Sequence, residues 1–145
     1  MSYVFKGPTL VFVAIVIMAA ASACDSDRDH DHDHGAHAGS APTCNPSGLM
    51  TINAQLTTDT QTDAALNVTV VKGSEPVSGA KVTVTPYMEV HGHGNDGSTP
   101  AVADGGDGSY AVTGLGLTMA GKWEFTVNVM KDSDMDCTKV SLQVK

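Results

Sequence analysis

Two histidines and two methionines carry most of the chemistry this sequence offers. Met88, His91 and His93 lie in the stretch Pro86-Tyr87-Met88-Glu89-Val90-His91-Gly92-His93-Gly94, and Met119 follows further along the chain. Thioether sulfur together with imidazole is the donor mixture that Cu(I) prefers, and it needs no free thiolate. His91 and His93 share parity, so an extended backbone would turn both rings to one side. Gly92 and Gly94 allow tight local bending. Met88 also shares the parity of Val82 and Val84, and Met119 continues Leu115 and Leu117, so each reads equally well as a core residue. Glu89 and Asp96 are the candidate hard ligands if the ion is Zn²⁺ or Cu²⁺. Imidazole ligates only when neutral, so metal binding through these histidines is expected to weaken in acid.

The amino terminus describes how such a loop would be delivered. Lys6 precedes an unbroken apolar run from Leu10 to Ala21. As a helix that run is about 18 Å long, short of a hydrocarbon core of about 30 Å. A charged start, a short apolar segment and small residues after it read as a secretory signal over residues 1–23. A membrane-anchor helix is the alternative. The cleavage region Ala21-Ser22-Ala23-Cys24 resembles the bacterial lipobox, which implies diacylation of Cys24. Two acyl chains give stable anchoring where one does not. The chain is therefore expected to be a lipoprotein of the cell envelope, held to a membrane and facing the periplasm or the exterior. Ordinary cleavage after Ala23 would instead release a soluble secreted protein.

Loss of residues 1–23 removes Lys6 and no acid, so a chain with a formal charge of −8 becomes about −9. That balance argues against nucleic acid and anionic headgroups as partners and is compatible with attracting cations. The segment from Asp25 to Gly39 reads DSDRDHDHDHGAHAG and has no aliphatic side chain larger than Ala. It cannot bury enough surface to offset its ordering entropy, so residues 24–42 are expected to form a disordered tether. Its His30, His32, His34 and His37, set among aspartates, form an auxiliary metal collector in one reading and a solvated spacer in the other. With Cys24 used by lipid, Cys44 and Cys137 remain. In an exported chain these invite a disulfide, with thiolate metal ligation as the alternative.

Residues 43–145 carry a period-two pattern, the mark of strands with one buried face. Ile52, Ala54 and Leu56 open it. Leu66, Val68 and Val70 follow, then Val82 and Val84, Tyr110 and Val112, and Leu115 and Leu117. Trp123, Phe125, Val127 and Val129 form the strongest strand, and Val140, Leu142 and Val144 close the chain. About seven short strands with turn signals between them and no helical period imply an all-β fold, an antiparallel immunoglobulin-like β-sandwich. Cys44 falls before the first of these strands and Cys137 before the last, so a bridge would staple the sandwich ends. Gly105-Gly106-Asp107-Gly108 reads as a hairpin turn.

The run Pro76 to Val82, the Pro86-Tyr87-Met88 and His-Gly-His-Gly elements, Gly106 to Tyr110, and Leu117 to Trp123 together resemble the YtkA-like domain, a family akin to the FixH proteins of bacterial oxidase assembly. The resemblance covers about Leu66 to Val129. It implies a small extracytoplasmic sandwich linked to copper or to oxidase assembly. The family's loop commonly carries Met-Pro-x-Met with a nearby His; here Thr85 stands in place of the first Met, and His91 follows Met88 at a longer interval.

No nucleophile elbow, HExxH or phosphate loop is present, so no enzyme is expected. The leading expectation is a lipid-anchored protein that binds copper through Met88, His91, His93 and Met119, with zinc as the alternative ion. It would buffer copper or deliver it to a cuproenzyme or an efflux protein. The other expectation is a structural or interaction module with no metal.

Overall fold

The structure is a computed structural model and describes residues 40–145. The expected signal segment, Cys24 and the histidines at 30, 32, 34 and 37 lie outside the described residues. Nine strands run in order: β1 Thr51–Thr58, β2 Ala65–Lys72, β3 Glu75–Pro76, β4 Lys81–Met88, β5 His93–Gly94, β6 Ala101–Asp104, β7 Ser109–Thr113, β8 Gly121–Lys131 and β9 Asp134–Val144. They form two antiparallel sheets. One has the order β1-β2-β7-β6 with β3 also on β2; the other has the order β5-β4-β8-β9. The all-β sandwich expected from the sequence is the fold.

The alternation seen in the sequence is the alternation of burial. Val68, Val70, Val112, Trp123, Phe125 and Val127 are fully buried between the sheets, while their neighbours in the chain mostly point outward. Tyr110 is buried on β7, and its hydroxyl donates to the Val77 carbonyl at 2.6 Å and accepts from the Ala80 N–H at 3.0 Å. One phenol thereby fixes the crossing from β3 in the first sheet to β4 in the second, satisfying two backbone groups that burial would otherwise strand.

Several expectations need correction. Leu115 and Leu117 are buried but form no strand, because Gly114 and Gly116 adopt φ of 66° and 62° and alternate the two leucines inward by loop geometry. β6 was not foreseen, since Val102 is its only large apolar residue and is half-buried at a sheet edge. Cys137 lies inside the last strand, not before it. A two-residue turn at Asp132-Ser133, with Asp132 at φ 53°, starts β9 at Asp134.

The Cys44–Cys137 disulfide is formed, with a Cα–Cα distance of 5.8 Å. It does not staple the sandwich ends. It lashes the segment before β1 to the outward face of β9, where Cys137 pairs with the exposed Asn128 of β8. The neighbouring Asp136 completes the clamp. Its buried carboxylate accepts from the N–H groups of Ser47 and Met50, both at 2.8 Å, and from Cys137 N–H at 2.9 Å.

Candidate metal centre

β4 leaves the sheet at Met88, and the chain turns back as β5 with Met88 directly opposite His93. The four residues between them form a tight turn in which the N–H groups of His91 and Gly92 both donate to the Met88 carbonyl, at 3.2 and 2.8 Å. Gly92 closes it at φ 67°. His91 therefore sits in a turn, and the extended backbone expected for 91–93 is not what aligns the rings. The turn does so instead. The two imidazoles stack at a centroid distance of 6.0 Å and an interplanar angle of 25°.

His93 is half-buried and stands with its ring edge-on to Trp123, centroids 5.8 Å apart. Its Nδ1 lies 2.7 Å from the Gly94 carbonyl. A carbonyl only accepts, so Nδ1 carries the proton and Nε2 keeps the lone pair a metal would use. Met88 is buried, only 2% exposed, at the rim of the core. Its methyl lies close to Gly121, where a Cβ would stand 3.1 Å from it. Met119 is half-buried against the core, and its carbonyl accepts from the Trp123 indole N–H at 3.0 Å. Trp123 and Gly121 thus bring the Met88 and His93 side chains and the Met119 backbone to one end of the sandwich, with His91 stacked over His93 on the exposed side.

The hard-ligand alternative finds less support. Asp96 accepts from Ser98 N–H at 2.9 Å and lies against Gly116, whose carbonyl holds the Asp96 N–H at 2.8 Å. Those Ser98 bonds, hydroxyl first, draw the Asp96 carboxyl below its ordinary range. Glu89 is exposed in the turn. Among the described residues no three His, Cys, Asp or Glu side chains come together as a metal-holding group. Asp104 and Asp107 of the glycine turn are similarly engaged, Asp104 with Gly79 and Gly106 N–H groups and Asp107 with Ser109.

The profile of the YtkA-like family matches residues 49–128, a span that runs from just before β1 into β8 and includes the histidine turn. The chain belongs to the YtkA-like family. The match begins earlier than the sequence motifs suggested, because β1 carries no distinctive residues of its own. Among solved structures, a DUF4426 family protein from Pseudomonas aeruginosa PAO1 shares the fold, with a TM-score of 0.51 at 12% identity. That match spans 71% of this chain and 96% of the other. No curated protein matches the sequence. Sequence reading of this YtkA-like domain did not foresee Trp123 as a wall of the site. Its place beside His93 depends on the β8-β4-β5 pairing, which no local motif encodes.

Proposed function

We propose that this YtkA-like protein is an envelope lipoprotein, anchored through Cys24, that binds Cu(I) at the β4–β5 end and buffers it or passes it to a cuproenzyme or an efflux protein. The observation that carries the reading is the assembly of Met88, His91, His93 and Met119 around one pole, with the stacked histidines outermost. His93 offers Nε2 to the ion, His91 reaches it from the exposed side, and Met88 and Met119 supply soft sulfur from the rim of the core. The near absence of nearby hard ligands fits Cu(I) better than Zn²⁺. The role is binding, without catalysis, and the auxiliary histidines 30, 32, 34 and 37 would collect ions for it.

The point of attachment supports presentation to a partner. Cys137 sits opposite Asn128, five residues along β8 from Trp123, which is roughly 16 Å at ~3.3 Å per residue. The chain therefore enters the domain well away from the histidine turn. A second reading is favoured by Val90, which is 81% exposed at the tip of that turn. In it the turn is a contact surface for another envelope protein, and Met88 and Met119 are core residues only.

Trp123 is the single tryptophan of the chain, and it touches His93. Its fluorescence is a local reporter. Under the copper reading one equivalent of Cu(I) quenches it, and His93→Ala removes the response. Under the second reading the emission is indifferent to copper.

A further inference from the structure

Outside the histidine pole, the described residues expose few large apolar side chains, and two of them face each other. Met130 on β8 and Met135 on β9 are 40% and 65% exposed and are direct cross-strand partners. Both have the parity of Asn128 and Cys137, so both point to the outer face of the second sheet. There they line a cavity of about 360 Å³ together with Thr43, Asn45 and the disulfide. Cross-strand partners have Cβ atoms about 5 Å apart, within reach of a shared ion for two thioethers.

The backbone under the pair is held from several directions. The Asp132-Ser133 turn fixes the register, and Ser47 donates its hydroxyl to the Met135 carbonyl at 2.7 Å. Asp136, next in the chain, is pinned by Ser47 and Met50. With the backbone fixed, only the side-chain rotamers of the two methionines remain to be ordered when they share a ligand. Lys81 pairs with Met130 from β4 and lines the same cavity, so the two sulfurs must hold a cation beside one ammonium, which favours a soft, singly charged ion over a divalent one.

We propose that Met130 and Met135 form a second soft-cation site, a two-sulfur clasp for Cu(I) or Ag(I). It is independent of the histidine pole. The ion is held by the two thioethers with no hard ligand.

The test uses the full chain in detergent micelles with ¹³C-labelled methionine methyls, titrated with silver(I), a redox-inert stand-in for Cu(I). The Met130 and Met135 methyl signals are expected to move together along one binding curve. They should do so equally in a His91→Ala/His93→Ala variant, which separates this site from the other. Met130→Leu and Met135→Leu conserve volume and are tolerated on a surface hairpin. Each is expected to weaken the response of the remaining methionine by at least about tenfold, because the second contact supplies the avidity. Methyl signals that stay fixed, or that move with affinities indifferent to loss of the partner, would overturn the clasp.

Discussion

Burial opposes the charge on Asp136, and the N–H groups of Met50, Ser47 and Cys137 outweigh it, drawing the carboxyl from 3.8 down to about 2. A carboxyl held lower in the folded chain than in the unfolded one stabilises the fold above the unfolded value. That contribution is complete above about pH 4 and is lost as pH falls through about 2. Asp136→Asn is expected to cost about 2–3 kcal/mol at neutral pH, since an amide cannot accept from all of these donors. It should also flatten the decline in stability between pH 4 and 2. Urea unfolding midpoints measured across that range check both effects. Tyr110→Phe isolates a second single-atom role. It strips the buried Val77 carbonyl and Ala80 N–H of their shared partner, for an expected loss of about 1–3 kcal/mol in the same assay.

Among the elements, β2, β3 and β7 meet closely around Gly108. Val70 donates to the Gly108 carbonyl and accepts from Val77 N–H. A Cβ on Gly108 would lie 2.8 Å from the Val70 carbonyl oxygen and 2.9 Å from Pro76, at a φ of +78°. Gly108→Ala is therefore expected to lower stability well beyond the ~1–2 kcal/mol of left-handed backbone strain alone. Gly73→Ala, at φ +64° with nothing within 4 Å, should cost no more than that strain, and thermal melts of the two variants make the comparison. The strands themselves were legible wherever one face is buried, as in Trp123 to Val129. Leu115 and Leu117 kept the same alternation without being a strand, because period two cannot distinguish pleating from a glycine-reversed loop. β6 leaves no such pattern, because an edge strand needs little apolar surface. The clamp was invisible for another reason: Asp136 has the composition of any surface acid, and only its donors Ser47 and Met50, remote in sequence, show its role.

For the molecule as a whole, the disulfide and the Asp136 clamp tie the amino-terminal segment to β9 at a sequence separation of 93 residues. Loss of the bridge in a Cys44→Ser/Cys137→Ser variant is expected to cost up to ~4–5 kcal/mol on chain-entropy grounds. The clamp should keep the variant folded, as far-ultraviolet circular dichroism and its melting temperature would show. The sequence named Met88, His91, His93 and Met119 as candidate donors but not how they come to one end of the sandwich. The pairing of Met88 with His93 and the wall made by Trp123 depend on register between distant strands, and the stacking of His91 on His93 depends on a turn, not on parity.

The copper reading rests on four side chains acting as one site in the fold. Its most direct test is a Cu(I) competition titration of residues 42–145, with ascorbate keeping the copper reduced and the tether histidines removed. The account predicts tight one-to-one binding that is lost in the His91→Ala/His93→Ala variant and weakened by Met88→Leu and by Met119→Leu. Absence of a histidine-dependent equivalent in this domain would contradict it and leave the turn around Val90 as a surface for protein contact.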